Sequence, residues 1–175
     1  MPIDTSLDFV SINIAVITIS DSRTIENDTS GDTLEKRIKD YGHNMLKRII
    51  IPDDVQQIKD TLEAISKEKE VDCIITTGGT GLTGRDTTPE AVKQIASKHI
   101  DGFGELFRQI SFKKIGTSAI QSRALAALIN NTYVFCLPGS TGACKDGWDE
   151  ILKYQLDIRH KPCNFVEIMP RLNEK

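Results

Sequence analysis

The residues from Ile12 to Ser20 (INIAVITIS) are β-branched and almost continuously apolar, the pattern of a strand buried on both faces rather than one. Such a strand belongs in a parallel sheet covered above and below, so the rest of the chain must supply helices for two faces. It does so in alternation. Leu34, Ile38 and Tyr41 recur at helical spacing over 33–41 and stop at Gly42, a C-cap residue. A second strand is expected at 45–51, broken by Pro52, Asp53 and Asp54. A second helix follows, with Val55, Ile58, Leu62 and Ile65 on one stripe. The third strand, Cys73 to Thr77, runs into a glycine loop, after which Thr88 and Pro89 read as N-cap and first turn of another helix. The stretch 99–128 is predicted mostly helical, interrupted at Gly102, Gly104 and Gly116. Tyr133 to Leu137 reads as a further strand and Cys144 to Leu156 as the last long helix. Strand and helix in this rhythm predict parallel pairing through right-handed crossovers, an open α/β sheet with helices on both faces. One domain is expected over 1–175, with 1–10 a flexible N-terminus.

Composition narrows the function classes. Lys plus Arg number 22 against 25 Asp plus Glu, a net charge of −3, so the basic excess used to bind nucleic acid is missing. No apolar run reaches the roughly 18 residues of a membrane span, and the first residues lack a basic signal-peptide start. A cytoplasmic protein is expected. The four cysteines form no C-x-x-C pair and suit that compartment as free thiols. His43, His99 and His160 are scattered singly, the pattern of structural or solvated histidines.

Parallel strands place their carboxyl ends along one edge, where open α/β sheets bind ligands. Those ends supply Ser20, Asp21 and Ser22; Pro52 and Asp53; Thr77, Gly78, Gly79, Thr80 and Gly81; and Pro138, Gly139 and Ser140. Gly79, Gly81 and Gly84 have the spacing of a dinucleotide fingerprint, but Pro89 opens the next helix too late for Gly84 to pack there, and the loop follows the third strand rather than the first. Gly79 and Gly84 also have P-loop spacing, yet Arg85 and Asp86 stand where Lys and Ser/Thr would grip phosphate. What remains is a nest of backbone N–H groups suited to an anion, with Arg85 and Asp86 beside it. Asp53 and Asp86 follow strands expected to be neighbours. Two carboxylates beside a phosphate nest repel the ligand unless a cation such as Mg²⁺ lies between them; the alternative is a pair of solvated loop or capping carboxylates. Between Gly102 and Leu128, the apolar residues Phe103, Leu106, Phe107, Ile110, Phe112, Ile115, Ile120, Leu125 and Leu128 exceed what one sheet face needs. Either a neighbouring protomer or a local helical subdomain must cover the surplus.

The stretch Thr76 to Ala91 (TTGGTGLTGRDTTPEA) resembles the molybdenum cofactor biosynthesis family of MogA and MoaB proteins, the molybdopterin adenylyltransferase type. The likeness continues through Asp101 to Glu105 (DGFGE), Thr117 to Arg123, and Leu137 to Thr141 (LPGST). Gln155 to Arg159 and Pro162 to Phe165 are similar to the B branch. The resemblance implies a three-layer α/β/α molybdopterin-binding fold, a trimer or dimer of trimers, and possible contacts with other enzymes of the pathway. It implies adenylyl transfer from Mg·ATP to molybdopterin, with ATP and molybdopterin as substrates and Mg²⁺ as cofactor. The family's essential carboxylates fall on Asp53 and Asp86, acting through Mg²⁺. Thr77 to Gly81 and Arg85 would serve the phosphates, and Ser20, Asp21, Pro138, Gly139, Ser140 and Thr141 would line the rest of the crevice, with Glu105 at its rim. Two departures stand out. The adenylyltransferase branch carries Asn or Gln and then Pro where this chain has Ser140 and Thr141, whereas Asp53 is retained where some B-branch proteins lack it. A non-catalytic binder of molybdopterin or of a pathway partner is the alternative the resemblance leaves open.

Overall fold

The computed structural model describes residues 3–174. Six strands, β1 (Asn13–Ile19), β2 (Asn44–Ile51), β3 (Cys73–Thr77), β4 (Lys98–His99), β5 (Leu125–Ile129) and β6 (Thr132–Leu137), form one sheet in the order β2-β1-β3-β6-β5-β4. The first four in that order are parallel; β5 runs antiparallel to both its neighbours, β6 and β4, at the far edge. The fold is three-layered. Helices α1 (Thr29–Tyr41), α4 (Asp101–Ile115) and α5 (Thr141–Gly147) serve one core, which holds Leu34, Ile38, Phe103, Phe107 and Cys144; α2 (Val55–Ser66) and α3 (Thr88–Ile95) serve the other, with Ile58, Leu62, Ala91 and Val92. Strand β1 shows why its sequence is continuously apolar. Ile14 and Val16 enter the first core while Ala15, Ile17 and Ile19 enter the second, so neither face can carry a polar side chain cheaply.

Several expectations need correction. Residues 125–129 form a strand rather than helix, because Asn130 and Asn131, at φ of 49° and 64°, turn the chain back into β6 as a tight hairpin. Gly102 and Gly104 do not interrupt α4. At Gly104 a Cβ would lie 2.5 Å from the Ala124 carbonyl, so the glycine lets helix and chain approach. Helix α1 begins four residues before Thr33, capped by the buried Asp28 side chain, which accepts from the Gly31 amide. Helix α3 has Thr87, not Thr88, at its N-cap position. The last long helix starts at Thr141 and passes through a π-helical turn at Trp148–Leu152 before α6 (Lys153–Gln155); a short α7 (Phe165–Ile168) follows.

Within the segment 1–10, expected to be flexible, residues 1 and 2 lie outside the described residues, and Ile3, Asp4 and Phe9 meet the carboxyl-terminal part of the chain. Ile3 bridges His160, the Asp4 amide donates to the Arg159 carbonyl at 2.7 Å, and the Phe9 ring lies 5.0 Å from the Arg159 guanidinium. Cys73, Cys136, Cys144 and Cys163 are free thiols. No described helix is long and apolar enough to cross a membrane.

Candidate functional site

The chain leaves β1 to build β2 on one side and returns past β1 to build β3 on the other. That reversal of direction opens a crevice beyond the carboxyl ends of β1 and β3. A cavity of about 890 Å³ lies there, within the range of small-molecule sites. Of the residues expected to form the site, Ser20, Asp21, Asp53, Gly78, Gly79, Thr80, Gly81, Asp86, Pro138, Gly139 and Ser140 all line it.

The glycine loop is set by two close approaches. Gly78 has φ of +108°, and a Cβ there would lie 2.1 Å from the Ile19 carbonyl oxygen. Gly79 has φ of +63°, and its Cβ would lie 2.3 Å from Thr88 Oγ1 and 2.7 Å from Asp53 Oδ2. Both positions exclude any side chain. The nest is narrower than the sequence suggests. The Gly78 amide donates to the Leu137 carbonyl at 3.0 Å, while the amides of Gly79 and Thr80 make no hydrogen bond among the described residues. Two donors therefore remain for an anion.

Asp53 and Asp86 flank this loop, although β2 and β3 are not neighbours as expected: β1 lies between them. The gap is spanned by side chains. Asp53 Oδ1 accepts from the Thr87 amide at 3.0 Å and from the Thr87 hydroxyl at 2.8 Å, capping α3 from a distance, while the Asp53 amide donates to Asp21 at 3.2 Å. Its Oδ2 has no donor among the described residues and faces Gly79. Asp86 Oδ2 accepts from the Thr83 hydroxyl at 2.6 Å and the Thr83 amide at 2.9 Å. The Thr83 hydroxyl is the chief reason the Asp86 carboxyl is held below the usual carboxylate range, against a smaller opposing effect of burial, with the Gly81 amide and the Arg123 charge also lowering it. Asp86 is ionised at neutral pH.

Other expected residues lie elsewhere. Thr77 is buried under the loop, where its hydroxyl donates to the Pro138 carbonyl at 3.1 Å. Arg85 is exposed and pairs with Asp21 instead of entering the cavity. The Thr141 hydroxyl meets that of Thr29 at 3.1 Å, outside the lining. Glu105 is not at this rim: it lines a separate cavity with Arg108 and Asp101, because α4 directs that face toward β4 and β5. Ser140 lines the crevice but also caps α5, its hydroxyl accepting from the Ala143 amide at 3.2 Å.

Sequence reading missed the wall formed by α4. Phe107, Ser111, Lys114 and Ile115 follow an i, i+4, i+7, i+8 spacing that puts them on one face, and all line the cavity. Among the described residues Lys114, ion-paired with Asp146, is the sole cation in the lining, against the carboxylates of Asp21, Asp53, Asp86 and Asp146. Asp146 holds the Lys114 ammonium above its ordinary range. The described lining is therefore acidic.

An open α/β sheet with a glycine nest and carboxylates at its switch point defines a crevice-binding α/β protein for a small ligand. Residues 15–158 match the family described as a probable molybdopterin binding domain, and the chain belongs to that molybdenum cofactor biosynthesis family. It is 41% identical over 160 residues to molybdenum cofactor biosynthesis protein B of Escherichia coli (strain K12), covering 91% of this chain and 94% of that one. A solved molybdenum cofactor biosynthesis protein B superposes with a TM-score of 0.85 at 36% identity, covering 95% of this chain and 98% of that chain. The tungsten cofactor synthesizing protein MoaB from Pyrococcus furiosus superposes at 0.75 with 31% identity, covering 94% and 98%.

Proposed function

We propose that this protein adenylylates molybdopterin at the expense of Mg·ATP. An oxygen of the terminal phosphate of molybdopterin attacks the α-phosphorus of ATP, the bond from that phosphorus to the bridging oxygen breaks, and pyrophosphate leaves. The observation that carries the reading is the placement of two carboxylates on one glycine loop. A Cβ at position 79 would lie 2.7 Å from Asp53 Oδ2, and one at position 81 would lie 2.7 Å from Asp86 Oδ2.

The donor chemistry suits magnesium. Asp53 Oδ2 and Asp86 Oδ1 are hard oxygen atoms not taken by the Thr87 and Thr83 donors. No group of three or more metal-ligating side chains occurs among the described residues, so the remaining ligands would be phosphate oxygens and water, which is how Mg²⁺ is commonly held. When bound, Mg²⁺ supplies neutralisation of the phosphate charge. The chain's own part is positioning: the amides of Gly79 and Thr80 orient phosphate oxygens, and Asp53 and Asp86 fix the metal-bearing side of the nucleotide.

One observation favours a second reading. Asp53 Oδ1 caps α3, a structural duty that would explain the residue without catalysis, and a non-catalytic molybdopterin binder would retain it. A coupled assay separates the two. Adenylyl transfer predicts pyrophosphate release that requires ATP, molybdopterin and Mg²⁺ together and stops with chelator; a binder retains pterin and releases none.

A further inference from the structure

Arg123 lies between the 3-10 turn Gly116–Gln121 and β5, outside the cavity lining, and has entered so far only as a charge near Asp86. Its guanidinium is nonetheless committed on every side. Nε donates to the Gly81 carbonyl at 2.7 Å and Nη2 to the Asp86 carbonyl at 2.7 Å, while Nη1 pairs with Glu90 of α3. The Arg123 amide donates to the Thr80 carbonyl at 3.3 Å.

These contacts differ in kind from those inside the loop. The Thr83 bonds to Asp86 Oδ2, and the Asp86 amide bond to the Thr83 carbonyl at 3.1 Å, fold the loop upon itself but do not place it against the body of the protein. Little else does. Leu82 is 68% exposed, a Cβ at Gly84 would meet nothing within 4 Å, and Arg85 reaches only the rim carboxylate of Asp21. The adjacent Nε and Nη2 donors of one planar group, by contrast, hold both ends of the segment at a fixed separation.

We propose that Arg123 is a positioning residue, whose two-donor edge brackets the loop from Gly81 to Asp86 and so presents the Asp86 carboxylate to the crevice, with Glu90 anchoring the guanidinium. The bracket itself stands on geometry; its consequence for turnover rests on the adenylylation reading. Lysine keeps the charge but has no planar pair of donors, so charge and bracket separate experimentally.

The test uses the full chain with Arg123→Gln, Arg123→Lys and Glu90→Gln. Backbone ¹⁵N relaxation should show the amides of residues 82–86 falling from a rigid order parameter of about 0.85 to below about 0.6 in both Arg123 variants, with the sheet amides unchanged, and an intermediate fall in Glu90→Gln. The Mg²⁺ concentration for half-maximal pyrophosphate release should rise about tenfold in both Arg123 variants, a shift that a smaller folded fraction would not produce. Unchanged loop order parameters in the Arg123 variants, or Arg123→Lys behaving as wild type in both measurements, would overturn the proposal. A wild-type protein that releases no pyrophosphate defeats the adenylylation reading, and the relaxation data still decide the bracket. Should Arg123→Gln not fold, Arg123→Lys and Glu90→Gln carry the same comparison.

Discussion

Asp53 and Asp86 divide their oxygens between holding the fold and facing the crevice. In each, one oxygen takes the local threonine donors, Thr87 for Asp53 and Thr83 for Asp86, and the other does not. Asparagine preserves an acceptor for the local bonds and removes the charge. Asp86→Asn and Asp53→Asn should therefore each reduce turnover by about 10²–10³-fold while changing stability by less than about 1 kcal/mol. Pyrophosphate release and urea unfolding, measured side by side, check this; near-normal release by either variant removes that carboxylate from the chemistry. A second residue sets a pH dependence. His43 is 4% exposed, accepts from the Ile12 amide at 3.3 Å through Nδ1, and leaves Nε2 without a partner among the described residues. Burial depresses its pKa from 6.5 to about 4, only weakly opposed by the Asp157 charge. The unfolded chain therefore binds the proton that the folded chain refuses. Stability from this group is complete above the unfolded pKa of about 6.5 and disappears as pH falls to about 4, a loss on the order of 3 kcal/mol. Denaturant unfolding from pH 7 to 4 should show the decline, and His43→Gln should flatten it.

At the scale of elements, what the sequence disclosed depended on whether local preference and tertiary surroundings agreed. Strands β1, β3 and β6 were legible because their β-branched and aromatic runs suit a doubly covered sheet. Strand β5 was not. Leu125 to Ile129 reads LAALI, good helix formers, and the partnership with β6 overrides that preference. The overlooked signal was the pair Asn130 and Asn131 between two apolar runs, residues that tolerate the positive φ a two-residue hairpin needs. Asn131→Gly should accordingly be close to neutral, and Asn131→Val should cost about 1–2 kcal/mol, since a β-branched residue resists that conformation. Thermal unfolding of both variants tests the turn; equal midpoints would contradict it. The crevice followed a similar rule. Residues at strand ends could be placed from topology, but Arg85, Glu105 and Thr141 depended on where side chains turn, and the α4 wall depended on which helix face meets the sheet.

For the whole molecule, the surplus of apolar residues in 102–128 is resolved only in part within the protomer. Phe103, Phe107 and Leu128 are buried in the core and Ile115 lines the crevice, whereas Leu106, Phe112 and Ile120 are 42%, 59% and 85% exposed. The exposed set is what a neighbouring copy would cover, and the resemblance makes a threefold assembly the expected one. Phe112→Glu should dissociate that assembly and leave the protomer folded. Phe107→Glu, at a side chain 1% exposed, should unfold the protomer itself. Light scattering with circular dichroism distinguishes these, and a monomer mass for the unmodified protein would contradict the assembly. The proposed adenylyl transfer is tested by following the group itself. With ATP labelled at the α-phosphate, molybdopterin and Mg²⁺, label should appear on the pterin in amounts matching the pyrophosphate released; pterin bound to the protein without label would overturn the proposal.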